Sequence, residues 1–159
     1  MNYNQDNILL DFAQRTKKNL TYIESQVQSS PDKDLFEVTQ LINSLLGLLV
    51  FPFEKDKHRI PNRTLQELQD TGWKVPRIIG NFKQVSNLRQ LIRYLRNSVA
   101  HFNIEFYSDE KNQIAGLRVW NVHENRGITW KAEMSIDELR NNVYKFIEII
   151  EDTYATPNN

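Results

Sequence analysis

The sequence predicts a mainly α protein, an antiparallel helical bundle that carries a small three-stranded antiparallel β-meander inserted before its last helix. Two observations favour this class. In three stretches of the first hundred residues, 9–27, 35–49 and 85–99, apolar side chains recur every three or four positions, which is the spacing of one helix face. From residue 104 they alternate with polar side chains, as in half-buried strands, and the helical spacing returns after residue 135.

Length and composition narrow the class of protein. A chain of 159 residues fits one domain, which we expect to span residues 1–154, with 104–134 as the β insertion and 155–159 as a flexible tail. The absence of cysteine excludes disulfides, thiolate metal sites and cysteine nucleophiles. The polar N-terminus does not resemble a signal peptide, and the longest apolar stretch, residues 45–53, is too short to cross a membrane. We therefore expect a cytoplasmic protein without a membrane partner.

Two long helices are predicted first. The first follows an apolar face from Leu9 to Val27 and should end near Ser30. The second should begin at Pro31, with Ser30 as its cap, and end at Phe51-Pro52. Its second half is apolar nearly all round, so we expect it to be central or shared with a second subunit.

The middle of the chain is predicted to be less regular. Residues 53–80 should form a loop with one or two short helices, one of them over residues 64–68. An amphipathic helix should follow, with apolar positions from Val85 to Val99 and Ser86 as its cap.

Three short strands and a final helix complete the prediction. The strands should cover residues 104–107, 117–122 and 128–134, joined by two polar turns. Ser135 and Glu138 have the spacing of a capping box, so they should open a helix that continues through Ile150.

The charge distribution is the most informative feature. Lys plus Arg equals Asp plus Glu at 20 each, yet no acid occurs from Thr71 to Ile104. The basic residues of this segment are Lys74, Arg77, Lys83, Arg89, Arg93, Arg96 and His101. Arg89, Arg93 and Arg96 form one helical stripe, here called the arginine stripe, and guanidinium groups bind phosphates in a bidentate manner. The alternative is a solvated face that pairs with acids elsewhere, such as Asp137, Glu138 or Glu148.

The end of the same helix contains residues suited to RNA cleavage. It reads Arg96-Asn97-Ser98-Val99-Ala100-His101, and Asn97 and His101 share a face. An imidazole can take the proton of a ribose 2′-hydroxyl or protonate the leaving oxygen, and a guanidinium can stabilise the charge of the transition state. The alternative is that His101 only caps the helix or makes a buried hydrogen bond.

These residues resemble the Arg-x4–6-His signature of the HEPN superfamily, in which a polar residue commonly follows the arginine, as Asn97 does. The bundle and the apolar helix ending Leu48-Leu49-Val50-Phe51-Pro52 are similar too. The resemblance implies a metal-independent endoribonuclease of a bacterial toxin–antitoxin or anti-phage system. It also implies a homodimer with one composite active site, no cofactor and, as a further partner, a cognate antitoxin protein.

By this resemblance Arg96 and His101 are the catalytic pair, and Asn97 supports them. The RNA-binding residues would be Arg93, Arg89, Lys83, Arg77 and Asn103. One HEPN subgroup has a modifiable tyrosine two residues after the histidine, where this chain has Asn103. Some family members are inactive and serve as interaction or nucleotide-binding modules, which is the alternative function.

Other kinds of site have little support. The three histidines lack metal-ligand spacing, so no metal is expected, and there is no Gly-rich phosphate-binding motif. Trp130 lies on the apolar side of its strand and is expected in the core, whereas Trp120 could stack on RNA.

Overall fold

The computed structural model describes residues 7–30 and 35–155. Within them the chain forms five helices and four strands, which confirms a mainly α fold with an antiparallel sheet. In chain order these are α1 (Ile8–Ser29), α2 (Glu37–Asp56), α3 (Leu65–Asp70), β1 (Arg77–Ile78), α4 (Leu88–Ala100), β2 (Ile104–Ser108), β3 (Ile114–His123), β4 (Gly127–Ser135) and α5 (Ile136–Ala155).

The residues cluster into two compact units. The first consists of residues 1–60 and 143–159, and the second of residues 61–142. Helix α5 begins in the second unit and continues in the first. The expectation of one domain over residues 1–154 stays a prediction, and most of the expected tail lies outside the described residues.

In the first unit, α1 and α2 pack closely at Gly47. A Cβ atom built on Gly47 would lie 2.7 Å from Cζ of Phe12, so the missing side chain makes room for that ring. The Phe12 ring also packs against Phe51, with 4.9 Å between their centroids. The apolar face of α2 is buried as predicted, with Leu41, Leu45, Leu48 and Leu49 in the core.

The predicted ends of α2 are wrong. The helix begins at Glu37, and Leu35 and Phe36 are exposed and not helical, so Leu35 does not belong to the core face. Residues 31–34, which contain the predicted start, lie outside the described residues. Pro52 lies inside the helix, which continues to Asp56. Proline removes one helical hydrogen bond, but the Pro52 side chain is buried and gains packing in return.

The second unit contains the sheet, whose strand order is β1-β4-β3-β2 with antiparallel pairing throughout. The three predicted strands are present, but the sheet has four strands rather than three. The extra strand has only two residues, Arg77 and Ile78, which pair with Glu133 and Ala132. Two residues are too few to show an alternating pattern, so sequence periodicity could not reveal this strand.

Helix α4 packs against β3 on one face of the sheet. Its buried residues are Leu88, Leu91, Ile92, Leu95 and Ser98. The predicted cap was wrong by one position: Asn87 is the cap, because its side-chain oxygen accepts the Gln90 N–H at 2.9 Å, whereas Ser86 bonds to the Gln90 side chain.

Two capping boxes set the start of α3 and α5. Thr64 and Glu67 form the first, around the predicted short helix. In the second, the Ser135 N–H donates to Glu138 at 2.9 Å and the Glu138 N–H donates to the Ser135 hydroxyl at 3.2 Å, as predicted. None of the helices in the described part of the chain is long and apolar enough to cross a membrane.

Candidate functional site

The Arg96–His101 segment forms the end of α4 and is closed by a Schellman motif. His101 is the C-cap, and its N–H donates to the Asn97 carbonyl at 3.1 Å. The Phe102 N–H then donates to Val99 at 3.0 Å, and the Asn103 N–H donates to Ser98 at 2.7 Å. This pattern satisfies the last carbonyls of the helix and turns the chain sharply into β2.

Phe102 occupies a position of the Schellman motif at which glycine is usual. Its φ is +59°, in the left-handed region. For a residue with a Cβ atom this conformation costs about 1–2 kcal/mol, and a bulky residue is rare there. The Phe102 side chain is 87% exposed, so burial does not offset the cost. The strained residue directly follows His101, and strained residues cluster at functional sites.

A buried polar network attaches the end of α4 to β3. Ser98 is fully buried, and its hydroxyl lies 2.9 Å from the carbonyl oxygens of Tyr94 and Trp120. The Asn121 side-chain amide donates to Tyr94 O at 2.9 Å and to Ser98 Oγ at 3.0 Å. The Trp120 N–H donates to the Asn103 carbonyl at 3.1 Å. The sheet therefore fixes the segment on both sides of His101.

The predicted catalytic residues differ in their placement. The His101 side chain is exposed at the helix end, and Asn97 and Arg96 are partly buried. At 3.6 residues per turn, Asn97 lies about 40° from His101 around the helix axis, whereas Arg96 lies about 140° away. The Arg96 guanidinium nevertheless turns toward Asn97, because its Nη1 donates to Asn97 Oδ1 at 3.0 Å. Asn97 thus orients the arginine toward the side of the helix that carries His101.

The arginine stripe lies on α4 away from the sheet. Arg93 is exposed, and its guanidinium carbon lies 5.4 Å from the centre of the Tyr94 ring. Arg89 is partly buried one turn earlier, and Lys83 is exposed in the loop before α4. Asn103 follows Phe102 and uses both its backbone groups to hold the turn.

Arg77 is not brought together with the stripe. It forms an ion pair with Glu133, whose second oxygen accepts from Arg118 Nε at 3.3 Å. These residues lie on the face of the sheet opposite to α4, since Ala132 and Met134, on either side of Glu133, are buried. The hydrogen bond from Arg77, with help from Arg118, lowers the pKa of the Glu133 carboxyl. Burial, and then nearby Glu133, raises the pKa of the Tyr107 hydroxyl on this face.

The acids that could have neutralised the arginine stripe have other partners. Asp137 pairs with Arg140 at 2.9 Å, and Glu148 pairs with Lys145 at 2.9 Å. Glu138 caps α5 through Ser135. Within the described residues, these three acids therefore pair with groups other than the arginine stripe.

Trp130 lies in the core as predicted, whereas stacking of Trp120 on RNA stays a prediction. Trp130 is fully buried and packs edge-on against Tyr94, with 5.3 Å between the ring centroids. Trp120 is partly exposed on the outer sheet face, where Lys131 lies 5.7 Å from its ring centre. Among residues 7–30 and 35–155, no three His, Asp or Glu side chains are grouped so that they could hold a metal ion.

The Arg96-x4-His101 spacing on a mainly helical fold is consistent with the HEPN superfamily. The chain belongs to this superfamily: the family model described as HEPN pEK499 p136 matches residues 1–156. No curated protein and no solved structure matches the chain.

Ser98, Phe102 and Asn121 are the residues of the site that sequence reasoning missed. Ser98 and Asn121 look like ordinary polar residues in the sequence, and only the packing of α4 on β3 brings them together. Phe102 could have been noticed, because a helix that ends without glycine often needs another residue in the left-handed region.

Proposed function

We propose that the protein is a metal-independent endoribonuclease whose active site is the end of α4. The observation that carries the proposal is the Arg96-x4-His101 motif, held at an exposed helix end in a chain that belongs to the HEPN superfamily. Exposure of His101 lets a substrate reach the imidazole, and the network of Ser98 and Asn121 keeps the helix end in place.

The chemistry is transfer of a phosphodiester to the neighbouring ribose oxygen. The neutral His101 imidazole takes the proton of the 2′-hydroxyl, and that oxygen forms a bond to phosphorus. The bond from phosphorus to the 5′-oxygen breaks, and a protonated imidazole gives a proton to the leaving oxygen. The products are a 2′,3′-cyclic phosphate and a 5′-hydroxyl. Arg96, oriented by Asn97, stabilises the charge on the phosphorane-like transition state.

A homodimer would supply the acid and the base together. Each copy contributes one His101, so two facing motifs provide one imidazole for each proton transfer. The resemblance to dimeric HEPN ribonucleases supports this arrangement. Two-fold symmetry would also place two arginine stripes along the path of one RNA.

The arginine stripe is proposed to bind the RNA backbone next to the cleaved phosphate. Arg93 and Arg89 are the main contacts, with Lys83 and Asn103 at the ends of the surface. Arg77 lies on the other face of the sheet in an ion pair with Glu133, and so would contact only a different part of the RNA. Because phosphate binding releases counterions, Arg93→Gln should lower the slope of log Kd against log salt by about 0.7.

The first test is cleavage of total RNA by the pure protein in EDTA, compared with the His101→Ala variant. We expect cleavage by the wild type, with cyclic phosphate ends, and a loss of about 100- to 10,000-fold in His101→Ala. His123→Ala is the matched control, because His123 is an exposed histidine of the same unit at the end of β3. Arg96→Lys keeps the charge but loses the fork geometry, so it should also lose activity.

Three outcomes contradict the proposal. Equal cleavage by the wild type and His101→Ala would mean another active site. Loss of cleavage in EDTA that magnesium restores would mean a different mechanism. Absence of cleavage of any RNA would favour the alternative, a catalytically inactive HEPN-like interaction or nucleotide-binding module.

The biological setting is proposed from the family resemblance alone. We propose a cytoplasmic protein of a bacterial toxin–antitoxin or anti-phage system, with an antitoxin protein as its further partner. Co-purification of the protein with the product of a neighbouring gene, and loss of its toxicity when both are expressed, would test this setting.

A further inference from the structure

We propose that the Phe102 ring stacks on an unpaired base of the RNA, next to the phosphate that His101 acts on. This inference rests on the proposed function, because it names how the same site recognises its substrate. It implies a single-stranded or looped substrate, since only an unstacked base offers its face to a side chain.

Phe102 has an unfavourable backbone conformation. Phe102 has a φ of +59°, which glycine adopts without strain and phenylalanine does not. Asn112, the other described residue besides glycine with a positive φ, lies in a hairpin turn, and asparagine tolerates this region well. Among the described residues, Phe102 is therefore the one bulky side chain attached to a left-handed, unfavourable backbone conformation.

The Phe102 ring contributes little to the fold. It is 87% exposed, the highest value among the exposed large apolar side chains of the described residues. No aromatic ring or cation of the described chain packs on it. The strain is thus not offset by burial, and a ligand that covers the ring would supply the missing contacts.

The residues next to Phe102 in the sequence also suit a nucleic-acid ligand. Phe102 lies between His101 and Asn103, and the segment from Thr71 to Ile104 contains no acid. An exposed aromatic face next to a basic stripe is a combination by which proteins hold single-stranded nucleic acid, and in the sequence Phe102 is flanked by an imidazole and an amide. The residues on both sides of Phe102 are polar, and contact of the ring with a second copy of the chain is an outcome that the experiment below distinguishes from stacking on RNA.

The experiment separates strain from stacking with three substitutions. Phe102→Leu keeps the side chain apolar and the backbone strained but removes the aromatic face. Phe102→Trp keeps an aromatic face, and Phe102→Gly removes both the ring and the strain. The probe is a pool of single-stranded oligoribonucleotides, 2′-O-methylated so that they cannot be cleaved, each containing 2-aminopurine, whose fluorescence falls when it stacks.

We expect the wild type and Phe102→Trp to bind the pool and quench the fluorescence. Phe102→Leu and Phe102→Gly should bind about 5- to 150-fold more weakly, which is the contribution of one stacked base. Phe102→Gly should at the same time unfold at a higher urea concentration than the wild type. Asn112→Gly is the matched control and should change neither RNA binding nor, to any large extent, the urea midpoint.

The outcomes distinguish this inference from the proposed ribonuclease. Absence of RNA binding by the wild type, or equal binding by Phe102→Leu, overturns stacking, whatever the cleavage assay shows. Dissociation of a dimer by Phe102→Leu in sedimentation would also overturn it, since the ring would then contact a second copy. If Phe102-dependent quenching occurs but no RNA is cleaved, stacking stands and the ribonuclease proposal fails.

Discussion

Replacing Ser98 by alanine should loosen the end of α4 from the sheet. The substitution removes one oxygen from a fully buried position. Alanine has a higher helix propensity than serine, so the helix itself is not weakened. The substitution also leaves two groups without their Ser98 partner: one N–H of the Asn121 amide and the carbonyl of Trp120. The helix itself should persist, so the loss falls on the attachment to β3.

The magnitude follows from the number of buried groups affected. A net hydrogen bond contributes about 1 kcal/mol, and a buried polar group left without a partner costs about 1–3 kcal/mol. We therefore expect the free energy of unfolding to fall by about 2 kcal/mol. For a chain of this length the melting temperature should fall by about 4–8 °C.

Urea unfolding of a double-mutant cycle tests this account. Ser98→Ala, Asn121→Ala and the double variant should show a coupling free energy of about 0.5–3 kcal/mol, because the two side chains contact each other directly. Ser108→Ala, at an exposed serine in β2, is the control and should be nearly neutral. Full stability of Ser98→Ala, or strict additivity in the cycle, would refute the reasoning.

Two further predictions concern the sheet. The hydrogen bond from Arg77 lowers the pKa of Glu133 in the folded protein, so the unfolded chain takes up a proton first as the pH falls. The stability that this carboxylate contributes is therefore present above about pH 4.3 and is lost at lower pH. Urea unfolding should thus show Glu133→Gln less stable than the wild type at neutral pH, with the difference shrinking in acid. Gly116→Ala should lower the free energy of unfolding by about 1–3 kcal/mol, because the added Cβ would collide with the Met134 carbonyl oxygen.

The predictions for Glu133→Gln and Gly116→Ala can each be contradicted by a specific result. A difference between Glu133→Gln and the wild type that is constant with pH would mean that the ion pair with Arg77 is not its cause. For the glycine, Gly127→Asn is the comparison, since Gly127 has no atom near the position of a Cβ and asparagine tolerates its positive φ. Equal stability of Gly116→Ala and the wild type would contradict the close contact at this strand.

The parts of the fold that the sequence predicts well are those with long periodic patterns. Helix α1 and strands β3 and β4 agree with their predicted positions, because many residues of one face take part in the pattern. The capping box of Ser135 and Glu138 located the start of α5, because its hydrogen bonds depend only on local spacing.

The predicted secondary structure is wrong where tertiary packing, rather than local sequence, determines it. The residues Arg77 and Ile78 become a strand because β4 offers them an edge, not because of their own pattern. Pro52 is a helix breaker by local rules, yet burial keeps it within α2. At the candidate site the spacing of Arg96 and His101 is visible in the sequence. The support from Ser98 and Asn121 is not visible there, because Ser98 and its partner Trp120 are 22 positions apart in the sequence and only the packing of α4 on β3 brings them together.

The anchoring of α4 to β3 also has a consequence for local opening. Helix ends ordinarily fray at almost no free-energy cost, and their amide protons exchange quickly with solvent. Here the Asn103 N–H bonds back into the helix while its carbonyl is held by Trp120, so the last turn cannot open without releasing a sheet contact. The amide of Asn103 should therefore exchange slowly, together with the strand rather than with the exposed turn beside it.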